Sequence, residues 1–270
     1  MIDLHSHILP KLDDGSPSVE VSVEMARLAV ADGITHMACT PHVMPGKYAN
    51  TSATILPAIA SLQAELNARG IKLTLLAGAD VHVAWDLPDR LVAKEIPTLN
   101  ASRYFLLEPP QEILPPNLEK LVSRLISAEF IPIITHPERL VWAKNHYHVI
   151  ERLHDMGCPL QLTAESLTGG FGSKARDHAI RMMEDGIVSL FASDAHGVDW
   201  RRPVLSVAKA QVAAQWSETL AEELFVTRPR IIASDGVLPR PAKRRQPLTN
   251  NTRKEKEPYN GLFRRMLGKR

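Results

Sequence analysis

The sequence predicts an α/β fold in which about seven parallel strands and their helices form a closed β/α barrel. Seven short apolar runs have the character of buried strands, and amphipathic stretches with helical spacing fill most of the gaps between them. The chain has 270 residues, of which 44% are hydrophobic, which is enough for a barrel domain of roughly 200–250 residues. Near-continuous apolar strands favour a parallel sheet. An open doubly wound sheet is the alternative.

The apolar runs and the helical periodicity assign each element in turn. The predicted strands cover residues 2–5, 34–40, 72–79, 103–108, 131–135, 159–163 and 187–193. The predicted helices cover residues 17–31, 53–68, 118–129, 146–156, 174–184 and 204–215. In the first helix, Ser16 is expected as the N-cap and Pro17 as the first helical residue, and Gly33 follows its end.

The distribution of charge divides the chain into two parts. From Arg240 onward there are 11 Lys or Arg against two acids, a net charge of +9, so the preceding residues carry −7 of the total of +2. We therefore expect one folded domain over residues 1–238 and a basic, flexible tail over residues 239–270. A short apolar stripe over residues 259–267 is a candidate for weak contact with a membrane surface or a partner protein. A solvated tail is the alternative.

The sequence shows no signal-peptide pattern and no run of about 18 apolar residues, so a cytoplasmic protein is expected.

The two cysteines, Cys39 and Cys158, lie in apolar contexts and cannot form a disulfide framework. A nucleophilic cysteine in a phosphate-binding Cys-x5-Arg loop is excluded, because Pro45 and Ala164 stand six residues after the two cysteines. The glycine-rich segment 169–174 lacks the Gly-Lys-Ser/Thr ending of a phosphate loop and predicts a simple loop before a helix.

Potential metal ligands follow almost every predicted strand. Besides His82, nine such residues are His5, His7, Asp14, His42, Asp80, Glu108, His136, Asp194 and His196. In a barrel the C-terminal ends of all strands lie on one rim, so we expect these side chains to be neighbours. Alternate residues of an extended chain point the same way, so His5 and His7 can share one cation. Without cations, such a cluster would contain unpaired buried charge.

Nine ligands exceed the four that a zinc ion usually takes, and they favour two or three divalent metals with a bridging carboxylate such as Glu108. Imidazole and carboxylate ligands without thiolate suit Mn, Fe or Zn. Metals that acidify water and neutralise an oxyanion are typical of hydrolases, and phosphoesters suit a site with two close metals. Arg139 and Arg201 follow His136 and Asp194 by a few residues, where each guanidinium can hold phosphate bidentately.

Six segments occur in order along residues 1–238: His5-Ser6-His7, Asp13-Asp14-Gly15, Thr40-Pro41-His42, Ile96-Pro97-Thr98-Leu99-Asn100, His136-Pro137-Glu138-Arg139 and Ser193-Asp194-Ala195-His196. This series resembles the polymerase-and-histidinol-phosphatase (PHP) superfamily, and within it the bacterial protein-tyrosine phosphatases of capsule and exopolysaccharide synthesis. The resemblance implies a distorted TIM-like β/α barrel with a trinuclear metal site at the C-terminal rim, usually associated with manganese. It also implies that the substrate is the phosphotyrosine-containing tail of a bacterial tyrosine kinase that controls polysaccharide synthesis.

The resemblance further implies a role for each residue. One metal would be held by His5, His7, Glu108 and Asp194, a second by Asp80, Glu108 and His136, and a third by Asp14, His42 and His196. Arg139 and Arg201 match residues that bind phosphate and stabilise the transition state, with direct attack by a metal-activated hydroxide and no phosphoenzyme. Asp80 departs from the pattern, because the family usually has Glu at this position.

Three other functions share some of these features. A small-molecule phosphatase of the histidinol-phosphate type would use the same metals in a more enclosed pocket. A PHP-type nuclease is consistent with the basic tail, but the acidic catalytic domain lacks an aromatic platform, so nucleic acid is not expected as a partner. A noncatalytic scaffold would bind metal without turnover. The sequence makes no prediction of oligomeric state.

Overall fold

The computed structural model describes residues 1–239, and the apolar stripe predicted at 259–267 lies outside this range. Strands and helices alternate along most of the described chain. The predicted α/β class with mostly parallel strands is confirmed. Closure into a barrel and a domain boundary near residue 238 stay predictions. Within residues 1–239, no helix is both long and apolar enough to span a membrane.

Ten strands in this range form two sheets. They are β1 (Ile2–Asp3), β2 (His36–Cys39), β3 (His42–Met44), β4 (Tyr48–Ala49), β5 (Thr74–Ala77), β6 (Asp80–His82), β7 (Tyr104–Glu108), β8 (Ile131–Thr135), β9 (Leu160–Thr163) and β10 (Leu190–Ala192). The smaller sheet has the order β1-β2-β5, and the larger has the order β10-β9-β8-β7-β6-β3-β4. All pairs are parallel except β3 with β4.

In two places the chain is interrupted after a predicted strand and then forms a second strand that was not predicted. The strand predicted over 72–79 ends at Ala77, and β6 begins at Asp80 in the other sheet. Likewise, β2 ends at Cys39 and β3 begins at His42. Each interruption therefore places a predicted metal ligand at the first position of a new strand.

The helices cover the predicted amphipathic stretches and add four short ones. They are α1 (Val19–Ala31), α2 (Ser52–Ala68), α3 (Leu87–Val92), α4 (Leu118–Ser127), α5 (Ala143–Asp155), α6 (Ala164–Thr168), α7 (Gly172–Glu184), α8 (Ser206–Gln215), α9 (Glu218–Glu222) and α10 (Arg228–Ala233). The prediction of Ser16 as the first N-cap is wrong. Ser18 is the N-cap and its hydroxyl accepts a hydrogen bond from the Val21 N–H at 3.3 Å, whereas the Ser16 hydroxyl donates to the Ser18 carbonyl. α5 begins three residues earlier than predicted.

Buried apolar side chains form two clusters on opposite faces of the strands. Successive residues alternate between them, so Leu106 lies in the smaller cluster and Leu107 in the larger one. The smaller cluster takes at least one side chain from each of β1, β2, β5, β7, β8 and β10. Both faces of the strands are therefore apolar, as the continuous apolar runs predict.

The segments that follow β1, β2 and β10 lie side by side. Ser6 and Ala195 form a parallel bridge, and the His7 N–H donates to the Ala195 carbonyl at 2.8 Å. On the other side, the Thr40 N–H donates to the Ser6 carbonyl at 2.8 Å. These bonds hold the first His-x-His segment between the second and the last strand regions.

Candidate metal centre

The nine predicted ligands come from short segments next to strand ends and from one loop. His5 and His7 follow β1, and Glu108 is the last residue of β7. His136 follows β8 directly, and Asp194 follows β10 by two residues. The others are His42 and Asp80, which begin β3 and β6, His196, which follows Asp194, and Asp14, which lies in the loop before α1.

One half of the cluster is centred on the two histidines after β1. The Nε2 atoms of His5 and His7 lie 3.2 Å apart, and each lies 3.2 Å from Oδ1 of Asp194. His5 Nε2 is also 3.4 Å from Oδ2 of Asp80. All four residues are buried. Nitrogen and carboxylate atoms from three separate strand regions thus face one another.

The other half is centred on His42. Its Nδ1 lies 3.3 Å from Oδ2 of Asp80 and 3.3 Å from Oε2 of Glu108, and its Nε2 lies 3.5 Å from Oδ1 of Asp14. The same Asp14 oxygen is 3.6 Å from Nε2 of His196. His136 Nε2 is 3.7 Å from Oε1 of Glu108. The structure therefore brings all nine predicted residues into one connected cluster.

The ligand atoms form four overlapping groups whose members lie within 4.8 Å of one another. They are His7 with Asp14, His42 and His196; His5 with His7 and Asp80; His5 with His136 and Asp194; and His42 with Asp80 and Glu108. The first group contains all three residues implied for the third metal, with His7 added. The other groups distribute the residues differently from the implied assignment, which stays a prediction.

Several buried ligand atoms have no hydrogen-bond partner. They are His42 Nδ1, both carboxylate oxygens of Asp80, Glu108 Oε2 and His196 Nε2. A buried polar atom without a partner costs about 1–3 kcal/mol, more if it is charged. A divalent cation would satisfy such atoms together, and a mixed imidazole and carboxylate set without thiolate suits Mn, Fe or Zn. The residues present therefore fit divalent metal ions.

The charges of the metal-free cluster point the same way. Burial opposes protonation of His42, but Asp80 and Glu108 raise its pKa to about 11. Burial also opposes protonation of His5, but Asp194 and Asp80 raise its pKa to about 9. The buried carboxylates therefore favour positive charge at these two positions. By contrast, burial and the nearby Arg139 lower the pKa of His136 to about 3, which leaves that imidazole neutral.

Two side chains outside the predicted set orient the histidines after β1. His7 Nδ1 donates to Oδ2 of Asp13 at 2.6 Å, and His5 Nδ1 donates to Oε1 of Gln161 at 2.9 Å. Each contact leaves Nε2 directed at the cluster. Asp13 belongs to a segment that supports the family resemblance, so its place in that segment could have indicated a role at the site. Gln161 lies inside the buried strand β9, and a polar side chain within an apolar run could have indicated a role at the site.

The loop that carries Asp13 and Asp14 is pressed against His7. A Cβ atom on Gly15 would lie 2.2 Å from the His7 carbonyl oxygen, so only glycine fits there. The Gly15 N–H donates to Oδ1 of Asp13 at 2.9 Å, and the His42 N–H donates to Oδ2 of Asp13 at 2.9 Å. The Asp13-Asp14-Gly15 segment therefore forms the support of His7 as well as a wall of the cluster.

Both predicted phosphate-binding arginines contact Asp194. Arg139 Nη1 donates to Oδ2 of Asp194 at 2.6 Å, and Arg201 Nη2 donates to the same oxygen. Although burial opposes ionisation of Asp194, His5, His7 and Arg201 hold the pKa of its carboxyl well below the ordinary value. The two guanidinium groups therefore lie directly beside the candidate ligands, where an anion bound to the cluster would meet both.

Three residues of the site have a backbone conformation that is rare outside glycine. The φ angles of His136, Asp194 and Arg201 are +34°, +52° and +45°. Such conformations cost on the order of 1–3 kcal/mol each and are concentrated at functional sites. Asn100, from another segment of the family pattern, also has positive φ, but its side chain donates to the Ala233 carbonyl, away from the cluster.

Comparison with known families matches residues 1–234 to the family described as capsular polysaccharide synthesis, CpsB/CapC. The chain belongs to the CpsB/CapC family. This places it in the narrower group that the six sequence segments resemble, and the match covers nearly all of residues 1–239.

Relatives within this family are named tyrosine phosphatases. The chain is 32% identical to the tyrosine-protein phosphatase YwqE of Bacillus subtilis over 252 residues, which covers 91% of this chain and 98% of YwqE. It is 30% identical to the tyrosine-protein phosphatase CpsB of Streptococcus pneumoniae, covering 88% of this chain and all of CpsB. A crystal structure from work on YwqE and CpsB, described as unique metal-dependent tyrosine phosphatases, matches with a TM-score of 0.85 and 31% identity over 90% of this chain.

Proposed function

We propose that this protein is a metal-dependent tyrosine phosphatase that hydrolyses phosphotyrosine on a bacterial tyrosine kinase controlling capsule or exopolysaccharide synthesis. The observation that carries the proposal is the connected cluster of nine imidazole and carboxylate side chains with two arginines on Asp194. Membership of the CpsB/CapC family supports the assignment to capsule synthesis. The proposed location is the cytoplasm, where a kinase tail is phosphorylated from ATP.

We propose two or three divalent ions, with manganese as the leading candidate, held by His5, His7, Asp14, His42, Asp80, Glu108, His136, Asp194 and His196. Bound metals would activate water as a nucleophile and neutralise charge on the phosphoryl oxygens. The nine ligands, and the buried atoms among them that have no hydrogen-bond partner, support more than one ion. Asp13 and Gln161 accept hydrogen bonds from the Nδ1–H groups of His7 and His5, which keeps the Nε2 atoms available.

Arg139 and Arg201 are proposed to bind the phosphate. Each guanidinium has several N–H donors in a plane, so contact with Asp194 leaves others for phosphoryl oxygens. Their position beside the cluster lets them stabilise negative charge that develops on the phosphoryl group. The two thiols take no part, because burial raises the pKa of both, to about 12 for Cys158.

We propose that the strands close into a distorted TIM-like β/α barrel with the metal site at the C-terminal rim. The parallel bridge between Ser6 and Ala195 supports closure, because it joins the segments that follow the first and the last strand. The apolar cluster with side chains from six strands, including β1 and β10, also supports it. A barrel interior is filled by such inward-facing side chains.

The proposed function is tested by a substrate panel on protein stripped with chelator and then reloaded with Mn, Fe or Zn. The panel compares a phosphotyrosine peptide, a phosphoserine peptide, histidinol phosphate and single-stranded DNA. We expect preferential hydrolysis of the phosphotyrosine peptide, activity lost on stripping, and at least a hundredfold loss in His136→Ala and Asp194→Asn. The exposed His148 provides a matched control, and His148→Ala is expected to keep activity. Preferential hydrolysis of histidinol phosphate or DNA would contradict the proposal.

A further inference from the structure

A cavity of about 690 Å³ opens beside Arg139, within the size range of roughly 300–1,000 Å³ that ligand sites occupy. It lies between the 3₁₀ turn Pro137–Arg139, the start of α5 and the first turns of α7. Leu140, Val141 and Phe171 contribute apolar walls, and Lys144 and Lys174 contribute positive charge. None of these five residues belongs to the candidate metal centre.

Phe171 lines this cavity together with Arg139, and its ring lies over both arginines. Its ring centroid lies 4.3 Å from the Arg139 guanidinium carbon and 5.7 Å from that of Arg201. The ring is presented by the glycine-rich loop before α7, where Gly169 and Gly172 have φ angles of +99° and +84°. Residues with a side chain rarely adopt these angles, so the glycines allow the loop to carry Phe171 over the arginines.

The charges that face the cavity favour an acidic ligand. Lys144 and Lys174 are exposed, and neither makes an ion pair within residues 1–239. Asp177 is the one exposed acid among the lining residues. The other lining acid, Glu138, is buried and accepts a hydrogen bond from the Thr163 N–H at 3.0 Å. Positive charge is therefore in excess at the open side of the cavity.

We propose that this cavity is the subsite for substrate residues that flank the phosphotyrosine, and that Lys144 and Lys174 select an acidic side chain there. The inference rests on the proposed function. The phenol ring of phosphotyrosine separates its phosphate from the peptide backbone, so a phosphate held by the arginines leaves the backbone over the neighbouring surface. The cavity that Arg139 lines is such a surface, and Phe171 offers an apolar wall to the intervening ring.

The test compares two phosphotyrosine peptides that differ only in flanking Glu or Gln residues, on the metal-loaded protein with the full chain. The measured quantity is the ratio of kcat/KM for the acidic peptide to that for the neutral peptide. In the double variant Lys144→Gln with Lys174→Gln, we expect this ratio to fall about three- to tenfold through KM, because exposed charge pairs are individually weak. In Asp177→Asn we expect the ratio to rise about two- to threefold, since the variant removes a negative charge that repels the acidic peptide.

Lys72 is exposed and does not line the cavity, so Lys72→Gln is a matched control that is expected to keep the wild-type ratio. An unchanged ratio in the double variant, with normal hydrolysis of both peptides, would overturn this inference and leave the proposed function intact. An equal fall in Lys72→Gln would also overturn it, because general attraction by surface charge would then explain the preference. If the wild type hydrolyses neither peptide nor p-nitrophenyl phosphate, the proposed function fails, and the subsite fails with it.

Discussion

Asp13 determines which ring nitrogen of His7 is left free to face the cluster. Its Oδ2 accepts a hydrogen bond from the Nδ1–H of His7, with a nitrogen–oxygen distance of 2.6 Å, which leaves the lone pair on Nε2 directed at the cluster. Asp13→Ala removes this acceptor and frees the imidazole to change tautomer. Loss of such a supporting contact typically costs 10–100-fold in metal affinity, or about 1.4–2.8 kcal/mol. Asp13→Asn can still offer one oxygen to His7, so its expected loss lies at or below the lower end of that range.

The assay is competition for Mn²⁺ with a chelator of known affinity, with circular dichroism to check folding. Asp13 also accepts the backbone N–H groups of Gly15 and His42, so its loss is expected to destabilise the fold as well. Asp32 provides the matched control, because it accepts the N–H groups of Leu205 and Ser206 at 2.7 and 2.9 Å outside the cluster. Asp32→Ala should lower Tm and keep the metal affinity. Wild-type affinity in Asp13→Ala, or equal losses in both variants, would refute the reasoning.

Three further predictions concern the arginines, a thiol and a buried acid. Arg139→Lys is expected to lower kcat on a phosphotyrosine peptide by roughly a hundredfold, because an ammonium cannot replace a bidentate guanidinium; metal content measured by mass spectrometry should stay unchanged, and a near-normal kcat would contradict the role. Burial raises the pKa of Cys158 to about 12, so iodoacetamide should not label it in the folded protein at pH 8, and rapid labelling would show that the thiol is accessible. Burial raises the pKa of Asp3 from 3.8 to about 6, against the hydrogen bonds from Ser193, so the folded state favours the protonated carboxyl. The free energy of unfolding of the metal-free protein should therefore contain a contribution that is complete below pH 3.8 and is lost by about pH 6, worth up to about 3 kcal/mol. Asp3→Asn should remove it, and identical urea-denaturation profiles across this range would disprove it.

The alternation of apolar strands and amphipathic helices was predictable because both periodicities are local. The interruptions of two strand regions were not, since the breaks before His42 and Asp80 coincide with a change of sheet. The choice between Ser16 and Ser18 as N-cap was also undetermined locally, because both residues flank Pro17 and both suit the position. The four short added helices have at most six residues, too few to give a clear apolar period.

The sequence predicted which residues meet at the site, because parallel strands bring their ends together wherever they stand in the chain. It did not predict which donor atoms share a group. His7 approaches both Asp194 and His42, since its ring lies between segments that are far apart in sequence. The convergence of both arginines on Asp194 was not predicted either, because Arg139 and Asp194 lie 55 residues apart in the sequence.

The central claim is that separate segments hold divalent metals at one cluster in the active protein. Its most direct test is anomalous diffraction at the manganese absorption edge from crystals of reloaded, catalytically active protein. We predict two or three anomalous peaks, each within about 2.0–2.4 Å of imidazole nitrogens or carboxylate oxygens from the nine residues. Active crystals with no anomalous density among His5, Asp80, His136 and Asp194 would contradict the account.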